Sequence, residues 1–423
     1  MRSPPGLPAA ALAACILIAA SVAVVRPALA QDGAGALGAN VASLLAAARQ
    51  LSPTLQAAAL ATEAAGARAD AAGALPDPTF TINDDEVDRT SGPRINKTYF
   101  MFGQTFPLWG KRDLQHQAAL QALEAARGQE RATRDQLDER IKVAFAQYYA
   151  VSRSIVINAD IARLARQVTG AATSRYSQGQ GSQAAAILAA AEETRTATEA
   201  ARLDGERQAA AARINALLAR PAEAPLAAPI ARRPIPASLP PIASLVERAR
   251  AGNPQVLSGQ ADIQQAETQR RLAGKAWYPD VTITAGPIQR ANGPTGVSAT
   301  VSFSIPLQQG PKEAGVQEAA VNLGAARLRL DATMAEIEGD LGQAVAALTA
   351  ARTMETLLRT RLLPQYDAAY RGMLADYGQD RGDLSAVLEA ERRLHDTDID
   401  ILRNQLDEQT ALAAIERLIG GEL

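Results

Sequence analysis

Residues 297–305 read VSATVSFSI, and this stretch alternates apolar and hydroxyl side chains without a break. A period of two predicts a β-strand with one apolar face and one hydroxyl face. About ten residues is also the length of a tilted strand that crosses a bilayer, with its apolar side chains toward lipid. We therefore predict that the strand's apolar set faces lipid: Val297, Ala299, Val301, Phe303 and Ile305.

Aromatic residues accompany the predicted strands. A partner strand over 98–108 is rich in phenylalanine, Trp109 follows it, and Trp277 precedes another predicted strand. Transmembrane barrels carry aromatic girdles at such borders. The same pattern also fits strands half-buried on a soluble core, with two ordinary core tryptophans. Strand length and the aromatic flanks favour the membrane.

The sequence contains an internal duplication. Pro53 matches Pro254, Tyr176 matches Tyr377 and Gly181 matches Gly382, all at a displacement of 201 residues. We predict a signal peptide over 1–30, a first repeat over 31–219, a linker over 220–241 and a second repeat over 242–423. The linker contains seven prolines and should be extended.

Each repeat has the predicted order helix, strand, strand, very long helix, tight turn, long helix. The first helices, over 42–74 and 243–276, are interrupted at Pro53 and Pro254. The very long helices carry coiled-coil seams of small and aliphatic residues spaced by three and four. These seams are Leu137, Ile141, Ala144, Tyr148, Val151 and Ile155 in the first repeat, and Ile337, Leu341, Ala344, Leu348 and Ala351 in the second. Pro364 is expected to kink or divide the second long helix.

The N-terminal residues predict export. Arg2 precedes an apolar run, and Ala28-Leu29-Ala30 has the form of a signal-peptidase site. Cys15 lies in a sequence that resembles a lipobox, so lipidation at Cys15 remains the alternative to cleavage after Ala30. Beyond this leader no run of about 18 apolar residues remains, so a membrane-crossing segment would have to be a strand.

Several kinds of chemistry are not indicated. The 43 basic and 45 acidic residues are interspersed, which argues against nucleic-acid binding. The two histidines, His116 and His395, are far apart in sequence and predict no metal site. No phosphate loop or nucleophile elbow is present, and we expect neither a cofactor nor enzymatic activity.

The duplicated halves, each ending in a Tyr-x-x-Gly turn and a returning helix, resemble the TolC family of outer-membrane efflux proteins. The resemblance covers residues 42–421, and the run QTFPLWGKR at 104–112 resembles the heavy-metal efflux branch. It implies a mixed α and β membrane protein in the Gram-negative outer membrane, with helices extending into the periplasm. Four strands per protomer would close a twelve-stranded barrel on a coiled-coil helical barrel as a homotrimer. Four strands cannot close a barrel alone, and lipid does not tolerate open sheet edges.

The resemblance also implies partners. In the family, helical tips meet a periplasmic adaptor, or membrane fusion protein, which links the duct to an inner-membrane pump, here expected to be of RND type. The residues assigned to these tips are Arg175, Tyr176, Gly179, Gly181, Ser182, Tyr377, Gly378 and Gly382. Because both tips keep a tyrosine that a plain helical turn does not need, we expect both to dock the partner.

Family gates use inward carboxylates just after the second tip. Glu389 occupies one acidic position, Ala386 stands where a second acid would be, and Asp383 is the substitute. The gate candidates are therefore Asp380, Arg381, Asp383 and Glu389. An ordinary solvated helix face remains the alternative for these charges. The competing interpretation of the whole chain is a soluble periplasmic coiled-coil scaffold or adaptor.

Overall fold

The computed structural model describes residues 37–88, 94–290, 293–379 and 381–423. The signal-peptide, cleavage-site and Cys15 predictions lie outside these residues. The helices of the first half are α1 Val41–Leu51, α2 Pro53–Ala72, α3 Lys111–Ser177 and α4 Gln183–Leu217. Those of the second half are α5 Ile242–Gly252, α6 Pro254–Gly274, α7 Gln309–Leu357, α8 Leu363–Gly378 and α9 Leu384–Ile419. The strands are β1 Thr79–Asp88, β2 Arg94–Phe106, β3 Val281–Arg290 and β4 Gly296–Phe303.

The predicted order of elements is confirmed in both halves, and so are the proline breaks. Pro53 and Pro254 each begin a new helix, because proline fits the first helical turn but cannot continue the preceding one. The Asn253 side chain caps α6 by accepting hydrogen bonds from the backbone N–H groups of Gln255 at 2.8 Å and Val256 at 3.3 Å.

The second long helix is divided where proline predicts it. A π-helical turn, Leu358–Leu362, separates α7 from α8, and Pro364 follows it directly. Proline lacks the N–H that would bond to the preceding turn, and the wider π turn accommodates its ring. The uninterrupted α3 contains 67 residues and is about 100 Å long at 1.5 Å per residue.

The two seams are confirmed as the core of the helical part. Every predicted seam residue of α7 is buried, whereas on α3 the burial extends from Leu137 to Tyr148 and Val151 and Ile155 are only half-buried. Equivalent positions build both clusters. Leu44, Ile141 and Ile214 in the first half correspond to Leu245, Leu341 and Ile415 in the second, and all six are 0% exposed.

The four strands form one antiparallel sheet in the order β1-β2-β3-β4. The first repeat contributes β1 and β2 and the second contributes β3 and β4, so the repeats join between β2 and β3. One row across the sheet runs Phe80, Phe102, Ala285, Ala299. Within the described chain, β1 and β4 each pair on one side only, which leaves the sheet with two open edges.

The proline-rich segment between α4 and α5 is extended and fixed along the helices. The Ala227 N–H donates to the Leu37 carbonyl at 2.8 Å, and the Gln409 side-chain amide donates to the Arg233 carbonyl at 2.8 Å. Glu416 of α9 accepts from Arg233 and, at 2.8 Å, from Lys142 of α3. This segment therefore ties the first repeat to the last helix.

Close approach of α3 and α6 depends on Gly128. A Cβ there would lie 2.9 Å from the Ser258 Cβ and 3.0 Å from the Pro254 carbonyl oxygen.

We predict that Gly128→Ala lowers the free energy of unfolding by about 2 kcal/mol, because the helices must separate. The matched control is Gly170→Ala on the same helix, where a Cβ would meet no heavy atom within 4 Å. It should stabilise by up to about 1 kcal/mol through helix propensity. Thermal unfolding of the two purified variants measures both effects, and equal behaviour would contradict the packing argument.

Candidate functional site

The sheet has one apolar face that is exposed in the protomer. Phe102 is 64% exposed, Phe303 60% and Val301 56%, although large apolar side chains are normally buried. Cross-strand pairing puts these residues on the same face, together with Phe80, Ile82, Phe100, Ile283, Ala285, Val297 and Ala299. A patch of this size requires an apolar medium or partner.

The opposite face of the sheet is lined with hydroxyl groups. Thr282 of β3 pairs with Ser302 of β4, and the Thr105 and Thr282 hydroxyls are 3.0 Å apart. The same face carries Thr79, Thr81, Thr284, Ser298 and Thr300. Hydroxyl groups can exchange hydrogen bonds with water, so this face suits a wet lumen.

The predicted strand over 297–305 is confirmed except at its end. It stops at Phe303, which pairs with Val281, the first residue of β3, and one position further the Ser304 N–H still donates to the Asp280 carbonyl at 3.3 Å. Ile305 therefore lies beyond the strand, where it is 73% exposed. The prediction that Ile305 belongs to the strand was wrong.

Aromatic side chains mark the end of the sheet that meets the helices. The Trp109 indole N–H donates to the Pro279 carbonyl at 3.0 Å, and its ring centroid lies 5.1 Å from that of Tyr278. Lys111 adds a 2.8 Å ion pair to Asp280. These contacts join the exit from β2 to the entry of β3, and they leave Trp109 and Trp277 51% and 37% exposed.

The first tip is the turn between α3 and α4. Gly179 has a φ of 73°, and the Gln180 N–H donates back to the Arg175 carbonyl at 2.9 Å, which closes the end of α3. Ser182 begins α4 by accepting from the Ala185 N–H at 3.1 Å. Gly181 packs closely on Arg175 and Tyr176, and the Tyr176 ring is 47% exposed.

The second tip, between α8 and α9, is built differently. Tyr377 is only half-exposed and packs against Leu384 and Leu388. Arg175 of the first tip donates to the Tyr377 carbonyl at 3.0 Å, and its guanidinium lies 5.0 Å from the centre of the Tyr377 ring. Gly382 lies close to the backbone of Asp376 and Tyr377, whereas a Cβ on Gly378 would meet nothing. The two tips therefore contact each other within one protomer through Arg175.

The gate candidates lie at the start of α9. Asp383 is exposed and accepts from the Ser385 hydroxyl, which lowers the pKa of the Asp383 carboxyl and keeps it ionised. Glu389 is exposed and forms a 3.0 Å ion pair with Arg393. Arg381 is exposed, and Asp380 lies outside the described residues.

One charged cluster was missed by sequence reasoning. Glu192 of α4 is 3% exposed and accepts hydrogen bonds from Arg195 and from Arg392 of α9, the latter at 2.9 Å. Glu391 is also 3% exposed. A signal was present, because Glu391 continues the spacing by three and four of the buried residues Leu384, Val387 and Leu388.

Two further properties concern the described ranges only. In residues 37–88, 94–290, 293–379 and 381–423, no helix is both long and apolar enough to cross a membrane. Over the same residues, no three acidic, histidine or cysteine side chains converge in a way that could hold a metal ion.

Solved structures with this architecture are outer-membrane proteins. The outer membrane protein VceC of Vibrio cholerae matches with a TM-score of 0.77 at 19% identity, over 90% of this chain and 96% of VceC. The open state of the MtrE outer membrane channel of Neisseria gonorrhoeae matches with a TM-score of 0.77 at 18% identity, over 90% of this chain and 89% of MtrE. These matches show that the chain has the fold of these outer-membrane proteins.

The sequence comparisons specify the family. The model described as "Outer membrane efflux protein" matches residues 245–421. The nickel-cobalt-cadmium resistance protein NccC of Alcaligenes xylosoxydans xylosoxydans is 26% identical over 318 residues, which cover 71% of this chain and 68% of NccC. Residues 245–421 therefore match the outer membrane efflux protein family, and the chain is an efflux channel of the Gram-negative outer membrane, with its helices in the periplasm. The interpretation as a soluble scaffold is not favoured.

Proposed function

We propose that three copies of this chain close a twelve-stranded barrel whose helices continue as a duct through the periplasm. The observation that carries the proposal is the pair of open edges at β1 and β4. Strand direction alternates across the four-stranded sheet, so β4 of one copy runs antiparallel to β1 of the next. Edge-to-edge pairing around a threefold axis then satisfies the backbone groups that lipid would leave unpaired.

The two sheet faces support one orientation of the proposed barrel in lipid. The exposed apolar face, with Phe102, Val301 and Phe303, lies outward against the acyl chains, and the hydroxyl face lines the lumen. The same face also carries charged residues at the end of the sheet away from the helices, because Asp85 pairs with Lys97 and Lys97 pairs with Arg290. We propose a passive duct with no enzymatic activity, and the similarity to efflux proteins supports this proposal.

We further propose that the duct serves a tripartite metal-efflux system. NccC is named for resistance to nickel, cobalt and cadmium, and it is similar to this chain over most of both sequences. The tips dock a periplasmic adaptor, which couples the duct to an RND-type inner-membrane pump. The pump supplies energy and selects the substrate, and this chain supplies the path.

The lipid-facing assignment of β4 predicts opposite results for two neighbouring residues. Val301→Arg places a charge on the outer face near mid-bilayer, which costs roughly 2 to 4 kcal/mol on a barrel. We expect the trimer fraction in outer membranes to fall. The matched control, Ser302→Arg, points into the lumen and should assemble and mainly change conductance. Equal assembly of both variants would contradict the assignment.

We propose that Asp383 and Glu389, repeated by the threefold axis, form a closed, cation-favouring constriction at the periplasmic end. Rings of carboxylates select cations, and the side chains of Asp383 and Glu389 are both exposed. Replacing both with alanine should reduce the cation-to-anion permeability ratio in planar-bilayer recordings of the trimer. An unchanged permeability ratio would contradict this assignment and would indicate that the constriction lies elsewhere along the duct.

We propose that Tyr176 is a stronger anchor for the adaptor than Tyr377. Tyr176 is 47% exposed, whereas Tyr377 is half-buried and packs against buried residues of both hairpins. Tyr176→Ala should leave the trimer intact but weaken adaptor crosslinking, because losing an aromatic anchor typically costs about 2 kcal/mol or more. Tyr176→Phe keeps the ring and is the matched control. Tyr377→Ala should weaken crosslinking partly by loosening the second tip. Normal crosslinking and export with both tyrosines replaced by alanine would exclude tip docking through these rings.

A further inference from the structure

Glu391 is a buried carboxyl group with no hydrogen-bonding partner among the described residues. It lies on α9, is 3% exposed, and neither Oε1 nor Oε2 is within hydrogen-bonding distance of a donor. Buried carboxylates are normally paired, because an ionised group in an apolar place loses its hydration. The position of Glu391 between two helical hairpins therefore favours the neutral form of its side chain.

The nearby arginines are already engaged by another carboxylate. The Glu192 carboxylate accepts from the Arg195 Nε at 2.8 Å and from the Arg392 Nη2 at 2.9 Å. Burial acts to raise the pKa of Glu192, but these arginine hydrogen bonds outweigh burial and lower it. Glu192 therefore remains charged and keeps the hydrogen bonds of the two guanidinium groups, and Glu391 beside it has no hydrogen-bond partner.

The groups that face Glu391 come from each helix packed around it. In the described residues they are Glu192 and Arg195 of α4, Arg392 of α9 itself, and Tyr370 of α8. Tyr370 is 7% exposed, and burial followed by the charge of Glu391 raises the pKa of its hydroxyl, so the ring is a neutral neighbour. Burial, then repulsion by Glu192, raises the pKa of Glu391 to about 7.

We propose that Glu391 is a proton-operated latch: its neutral form holds the α8–α9 hairpin against α4, and its ionised form releases the hairpin. An ionised Glu391 must be hydrated, and water reaches it when α9 separates from α4. Glu391 lies two turns from Leu384, where α9 begins after the second tip, so the separation widens the periplasmic end. The inference that this movement opens a path rests on the proposed duct.

The direction of the pH dependence follows from proton linkage. The pKa of Glu391 is raised in the packed state, and in an open, hydrated state it returns to the ordinary value of 4.5. Stability of the packed hairpin is therefore fully present below pH 4.5 and is lost as pH rises through about 7. Across that window the open-to-packed ratio should rise about tenfold per pH unit and then level off.

The test uses the full-length trimer and two readouts. Hydrogen exchange of the amides in residues 384–395, corrected for intrinsic pH dependence, reports separation of α9 without requiring conduction. Open probability in planar bilayers, from pH 5 to 8, reports the path. Glu391→Gln keeps the shape of the neutral side chain and should remove the pH dependence in both readouts, fixed at the packed value. The control, Asp400→Asn, changes a carboxylate on the same helix that forms a 2.9 Å ion pair with Arg403, and it should behave as wild type.

A second variant covers failure of Glu391→Gln to assemble. Glu192→Gln frees Arg195 and Arg392 to pair with Glu391, so the midpoint of the transition should move to lower pH. Wild-type exchange that is flat between pH 5 and 7, or a slope that survives Glu391→Gln, would overturn the latch. A pH-dependent exchange rate in a protein that forms no channel would support the latch and overturn the duct. A conducting channel with flat exchange would do the reverse.

Discussion

Backbone hydrogen bonding at the edges of the sheet is the constraint on which the rest of the molecule depends. The strands β1 and β4 each present a row of amide and carbonyl groups that the protomer leaves unpaired. In lipid each such group costs several kcal/mol, whereas in a closed barrel all of them are paired. Because the repeats meet at β2 and β3, the open edges belong to different repeats, and joining one copy to the next continues the alternation within the protomer.

In the helical part, the two repeats correspond closely in their cores but differ at their tips. The core clusters of the two halves use corresponding positions, because the seam of a long helix tolerates little change in size. At the tips the correspondence fails: Ile187 of the first hairpin is 60% exposed, whereas its counterpart Leu388 is 6% exposed. At this position the second hairpin therefore buries its aliphatic side chain, whereas the first hairpin exposes it to solvent.

Buried charge is concentrated where separate parts of the chain must keep a fixed register. Glu416 joins α9 to Lys142 of α3 and to Arg233 of the proline-rich segment. Glu408, also on α9, has its pKa raised to about 7 by burial and by its hydrogen bond with Glu355 of α7. Burying such groups gains little net stability, because desolvation offsets the attraction, but a misplaced helix would leave a charge unpaired. We infer that these contacts select one arrangement of the helices.

Local sequence patterns predicted most of the helices and strands. The period-two run that ends in Phe303, the proline breaks at 53, 254 and 364, and the two seams each depend on residues within a few positions of one another. The end of the strand does not depend on neighbouring residues alone. The strand β4 ends at Phe303, opposite the first residue of β3, and Ile305 was assigned to the strand in error. The gate candidates show the same limit. Sequence pointed to Glu389 near the tip but not to Glu391, whose isolation comes from α4, a helix about 200 residues earlier in the chain.

The amino-acid sequence by itself determined the duplication, the order of helices and strands and the apolar strand face, because periodicity and repeat spacing are local or internal properties of a chain. Only the tertiary structure decided which tip tyrosine is exposed, which carboxyl lacks a partner and which strands form the open edges. Those properties depend on which distant segments pack together, and a hydrogen bond between α4 and α9 has no signature in either helix alone.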